Sequence, residues 1–148
     1  MMNLQDIPKD YIFCPATNDT CPRAATCLRA LALRALAGGN PKEWLVMRTL
    51  NPGYAQHPPK DCEYYRDSTP VRYAVGMMHM FDNIPLKQAR ELRRKVMGCF
   101  SCESYFYQSR KGERNITPAE QKSIENAFRA VGLSEAPQYD GSSDGYLW

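Results

Sequence analysis

Apolar positions recur with helical spacing in several stretches of the chain. Leu28, Leu31, Ala32, Ala35 and Leu36 fall at i, i+3, i+4, i+7 and i+8, which predicts a helix with one buried face, stopped by Gly38-Gly39. Leu86, Ala89, Leu92 and Val96 repeat the pattern, with Asn83 as the cap, Pro85 in the first turn and Gly98 at the end. Thr117-Pro118-Ala119-Glu120 is a capping-box sequence, and the helix it opens packs through Ile124, Phe128 and Val131 and ends at Gly132. A further helix is expected from Pro70, capped by Ser68 or Thr69, with Val71, Ala74, Val75 and Met78 inward.

Other runs read as strands or loops. Residues 43–50, with Trp44, Leu45, Val46 and Met47, predict a short buried strand that Asn51-Pro52-Gly53 ends in a turn. Tyr105-Phe106-Tyr107 favours a strand, which 110–113 would turn back as a hairpin. Residues 1–20 look irregular, and 51–69 form a loop around Cys62. The glycine- and serine-rich tail finishes in Tyr146-Leu147-Trp148, so the end is expected to dock back onto the fold. The sum is an α+β fold, mainly α-helical. It is expected to form a single compact domain over 1–148, with a short strand or hairpin element and a cysteine-rich N-terminal loop region.

Composition narrows the class. With 148 residues, 43% of them hydrophobic, the chain can bury a core without needing staples. Its 16 aromatic residues argue against disorder. No apolar stretch approaches the roughly 20 residues of a membrane helix. The first residues lack the basic and apolar regions of a secretory signal. The expectation is a soluble cytoplasmic protein without a membrane partner.

The net charge of +3 does not imply a polyanionic partner, but its distribution is uneven: residues 87–114 carry +5. That segment holds Lys87, Arg90, Arg94, Lys95, Arg110, Lys111 and Arg114, close to Phe100, Tyr105, Phe106 and Tyr107. A nucleic-acid backbone could be held by such cations and its bases stacked on the aromatics. The plainer reading is an amphipathic helix whose arginines face water.

Six cysteines are the anomaly in a cytoplasmic chain, where thiols serve metals, redox chemistry or burial. Cys14, Cys21 and Cys27 cluster early and Cys62 returns from a later loop. Four thiolates are what a closed zinc site or an iron–sulfur cluster requires. Thiolates on one zinc sit about 3.8 Å apart. A helix starting at Pro22 would separate Cys21 from Cys27 by about 9 Å of rise on different faces, and no zinc could join them. The metal reading therefore demands a helix start near residue 26, with Thr26 as the cap and Cys27 in the first turn. Zinc is preferred over iron–sulfur. The alternative is four small buried hydrophobes.

Cys99 and Cys102 have the spacing of a redox dithiol or a metal knuckle. A redox site would need a strand before them and a helix after, whereas the pattern here gives a basic helix before and an aromatic strand after. His57 is a potential replacement ligand near Cys62, and His79 reads as a core histidine. No Ser/His/Asp spacing, phosphate loop or acid/base carboxylate pair stands out, so no catalytic residue is assigned. The leading expectation is a binding module with a structural metal site and an unknown protein partner. A nucleic-acid binder and a dithiol oxidoreductase are the alternatives.

Several segments together resemble a known family. They are Tyr11-Ile12-Phe13-Cys14, Cys21-Pro22 through Cys27-Leu28-Arg29, Asn51-Pro52-Gly53-Tyr54 and Cys62-Glu63-Tyr64-Tyr65, followed by Val71-Arg72-Tyr73-Ala74, Asp82-Asn83-Ile84-Pro85, and Lys111-Gly112-Glu113-Arg114 leading into Thr117-Pro118-Ala119-Glu120-Gln121. In this order they resemble a small bacterial family, domain of unknown function 6078, over nearly the whole chain. The resemblance implies no reaction. It implies that Cys14, Cys21, Cys27 and Cys62 form one unit to which Cys99 and Cys102 do not belong.

Overall fold

Short strands need partners and helices need an apolar face, and the chain meets both demands twice. The structure, a computed structural model, describes residues 2–39 and 44–148. Among them it has five α-helices and two two-stranded sheets, an α+β fold dominated by helix. Its contacts divide into two units, 1–70 with 146–148, and 71–145.

In the first unit, β1 (Ile12–Phe13) pairs in parallel with β2 (Arg48–Thr49). Helix α1 (Leu28–Ala37) packs on β1 and ends at Gly38 as expected. Its cap is Cys27, one residue beyond the expected Thr26. Thr26 is instead used in the backbone: its carbonyl accepts from Ser68 N, and Leu28 N donates to Arg66 O, so the entry to α1 is pinned by 66–68. The loop expected over 51–69 contains a short helix, α2 (Pro52–Gln56), whose first turn is held by Asn51 Oδ1 accepting from Gly53 N at 2.8 Å. One apolar cluster gathers Ile7, Tyr11, Phe13 and Ala32 against Trp44 and Trp148. Trp148 meets Tyr11 edge-on at 5.2 Å, so the tail docks as the sequence suggests.

The expected buried strand over 43–50 is not found. Glu43 lies outside the described residues, only 48–49 are strand, and Leu45 and Val46 are 81% and 88% exposed. Among the described residues, the two of β1 are the only ladder this run meets; Trp44 turns inward, edge-on to Phe13 at 5.5 Å, and Leu50 is half-buried and donates its N–H to Phe13 O at 2.9 Å.

The second unit opens with β3 (Val71–Val75), antiparallel to β4 (Gly141–Gly145). This replaces the helix expected from Pro70. Val71, Tyr73 and Val75 alternate as a strand does, and a glycine- and serine-rich partner with no strand signal of its own completes the ladder. Helix α3 (Leu86–Met97) follows, capped by Pro85 and not by Asn83; Leu92 and Val96 are buried but Leu86 is 92% exposed. The expected strand and hairpin at 105–113 are α4 (Glu103–Arg110). Phe106 and Ser109, three apart, are its buried residues, a helical spacing that the aromatic triplet disguised.

Helix α5 (Pro118–Ala130) carries both hydrogen bonds of the capping box and packs on α3 and β3. Gln88 Nε2 donates to Val131 O at 3.0 Å, tying the end of α5 to α3. The core of this unit is Met77, Leu92, Val96, Phe106, Ile116, Ile124 and Phe128. Gly76 leaves β3 at φ +73, and a Cβ there would come within 2.5 Å of Asp140 Oδ2, the atom that accepts from Met78 N.

Candidate functional site

The four early cysteines are brought together by turns and by one buried cation. Cys14 follows β1 directly, and its N–H donates to Arg29 O at 3.2 Å. Between Cys14 and Cys21 the chain makes a threonine turn: Thr17 N donates to Thr20 Oγ1 at 2.9 Å and Cys21 N to Thr17 O at 2.9 Å. Residues 21–26 are further turns and not helix, the condition on which a shared site depended. Cys27 stands at the N-cap position of α1 without a side-chain hydrogen bond to it, and its backbone forms an isolated antiparallel β-bridge with Asp67. Cys62 leaves the segment after α2, and its carbonyl accepts from Tyr65 N at 3.1 Å.

Arg29 fastens these segments. It is buried on α1, and its Nε donates to Tyr64 O at 2.8 Å while Nη1 donates to Ile12 O. Those carbonyls stand two residues after Cys62 and two before Cys14. The guanidinium also lies over the Tyr11 ring, 4.8 Å from its centroid. Arg29 carried no mark in the sequence beyond being a charge beside an apolar helical stripe.

Cys14, Cys21, Cys27 and Cys62 all line one cavity of about 20 Å³. Ala16, Ala24, Ala30 and Ala55 form much of its wall, and Arg23 borders it with its guanidinium 4.7 Å over the Tyr65 ring. Burial pushes the Cys14 thiol up; a backbone hydrogen bond from Ala16 opposes this, and the other three cysteines reinforce it. The Tyr54 hydroxyl donates to Cys62 Sγ at 3.5 Å, and this bond pushes the phenol up to about 12. Among the described residues, no three His, Cys, Asp or Glu side chains stand in an arrangement that closes on a metal ion. The thiols thus share a cavity without meeting at one point. His57 is exposed and does not line it.

The second unit holds the remaining candidates. Cys99 is half-buried, donates through Sγ to Lys95 O at 3.4 Å, and has its thiol pushed up by burial and by Glu120. Cys102 is exposed and caps α4, so a helix follows the pair where a strand was expected. Neither lines the cavity of the first unit. His79 is exposed, not a core histidine, and its Nδ1 pairs with Asp82 Oδ2 at 2.8 Å.

The basic segment is divided by its surroundings. Lys87, Arg90 and Arg94, with Glu91, line a groove along α3, and Lys95 is half-buried. Arg114 is committed elsewhere: it grips Glu120 with two bonds of 2.8 and 3.0 Å and lies over Tyr105 at 4.6 Å. Arg110 is half-buried and Lys111 exposed at the end of α4. Phe100 and Phe106 are core residues and offer no stacking surface.

Compared with known proteins, the chain matches the model of the family of unknown function DUF6078 over residues 1–148, and it belongs to that family. Nothing matches it among curated proteins or among solved structures.

Proposed function

We propose that Cys14, Cys21, Cys27 and Cys62 ligate a metal centre that orders the loops of the first unit, and that the protein acts as a binding module. The observation that carries this reading is the common cavity lined by all four thiols. Four protein thiolates leave no open position for substrate, so the centre's role is structural. The free thiols suit a reducing cytoplasm. Ligation requires each thiol to lose its proton, and the half-buried Cys14 resists this until a metal cation compensates.

Protein purified under reducing conditions without added metal should carry a stoichiometric metal centre. A strong chelator should then lower its Tm by several degrees. A metal-free protein that is fully folded and indifferent to zinc and iron would sink the reading.

A second reading, contact with a polyanion along α3, rests on Lys87, Arg90 and Arg94 sharing one groove. Binding that weakens steeply with salt is its signature.

A further inference from the structure

We propose that the second unit binds a single-stranded nucleic acid across α3 and α4, an inference that rests on the polyanion reading of α3 above. The first argument is free charge. Lys87, Arg90 and Arg94 line the groove of α3, and all three are exposed. The ion pairs among the described residues are His79–Asp82, Arg114–Glu120 and Arg129–Glu125, so within that set the three cations have no carboxylate partner. At 1.5 Å of rise per residue they span about 10 Å, a length over which a strand presents roughly two or three phosphates. Two of the three are arginines, whose guanidinium meets a phosphate with two parallel hydrogen bonds.

The second argument is an aromatic ring beside that charge. Arg93 is a surface neighbour of Arg90, three residues on, and its guanidinium lies over the Phe106 ring of α4, 5.7 Å from the centroid. Phe106 in turn meets Tyr107 edge-on at 5.2 Å. Phe106 is fully buried, whereas Tyr107 is 39% exposed and so has surface to offer a base. Lys111 N donates to Tyr107 O at 3.2 Å, which places that exposed lysine one turn on, beside the ring. Cations that track a backbone and a ring that stacks an unpaired base are the two parts of a single-strand site. A duplex keeps its bases paired and would leave Tyr107 without a role.

The third argument is what the surface lacks for a lipid bilayer. An interfacial helix lays an apolar stripe into the membrane. The stripe of α3, with Leu92 and Val96, is turned into the core, and Leu86 at the first position is the exposed large apolar side chain of the helix. Glu91 lies in the groove among the cations, where its carboxylate repels a phosphate chain and holds the affinity down.

The test is fluorescence anisotropy of the full chain at low salt with a labelled single-stranded DNA and the RNA strand of the same sequence. Heparin and phosphatidylserine vesicles are measured alongside. Both strands should bind. Lys87, Arg90, Arg94 and Lys111 acting together give a slope of about −2.8 in log affinity against log salt. Arg90→Gln combined with Arg94→Gln should weaken strands and heparin alike and bring the slope for the strands to about −1.4. Tyr107→Leu should weaken the strands about tenfold and leave heparin unchanged, while Tyr107→Phe binds as the parent does. Glu91→Gln should tighten the strands and heparin. Heparin bound as the strands are, with Tyr107→Leu silent, would overturn the single-strand assignment and leave the polyanion contact standing. Binding to none of the polyanions would overturn both. Binding to the vesicles alone, lost in Leu86→Ser, would overturn the assignment in favour of a membrane surface.

Discussion

Arg29 shows how one side chain can organise a site it does not belong to. A buried guanidinium costs several kcal/mol of desolvation unless its donors are satisfied, and here backbone carbonyls from two distant segments satisfy them. Replacing it removes the donors and leaves those carbonyls without their partner. Arg29→Leu is therefore expected to cost about 2–4 kcal/mol in urea unfolding. It should also reduce metal content, since the segments bearing Cys14 and Cys62 lose their common anchor. Unchanged metal content in a folded Arg29→Leu protein would mean that the cysteine loops hold themselves. The cysteines were legible because thiols are scarce and chemically specific. Arg29 was not, because its role lies in backbone carbonyls, and these leave no mark on residue identity. Tyr54 escaped for a similar reason: a tyrosine eight residues before a cysteine says nothing until α2 turns it back.

At the scale of elements, the helices that could be read were those with chemical signals at their ends. Helix α5 is the clearest. Its cap, first-turn proline and terminal glycine are local features that tertiary contacts reinforce, and Gly132 adopts φ +81 at the stop. Elsewhere such signals misled: Asn51 and Pro52 open α2 where a turn was expected, and Ser68, Thr69 and Pro70 stand before a strand. β3 owes its form to β4, 66 residues further on, and α4 hides a helical face beneath a triplet of strand-favouring aromatics.

The capping box also has a pH signature. Burial pushes the Glu120 carboxyl up, but the hydrogen bonds and charge of Arg114, with the Thr117 N–H, outweigh this and hold it below the usual carboxylate range. Because the folded value is the lower one, the stabilisation is complete above the unfolded value of about 4.5 and is lost as pH falls through the folded value. Glu120→Gln should lose about 2 kcal/mol at pH 7. Below pH 4.5 it should show a flatter decline of stability than the parent in acid-titrated unfolding. Parallel curves would place the acid sensitivity elsewhere.

For the molecule as a whole, the α+β character and helical predominance were readable from periodicity, and so was the separation of the cysteines into four and two. The partition into two units was not readable, because it depends on where the chain returns. Residues 146–148 belong with 1–70, whereas 71–145 form their own core around Met77, Leu92 and Ile124. Trp148 meets both Tyr11 and Tyr146 edge-on, at 5.2 and 5.9 Å. Trp148→Ala is expected to cost the first unit about 1–3 kcal/mol, toward the low side for an aromatic that is only partly buried. Hydrogen exchange should show the loss as faster exchange in β1 and α1, with α3 and α5 protected as before. Uniform acceleration in both units would show that Trp148 supports more than its own cluster.

That return of the chain has a consequence for synthesis. Along the chain, 71–145 form an uninterrupted stretch that contains every residue of its own core. Residues 1–70 instead wait for a segment made after 71–145: until 146–148 are released, Tyr11 lacks the indole that meets it edge-on. During that interval the four thiols are present without the finished unit around them. Residues 1–70 thus complete their unit after the stretch that follows them.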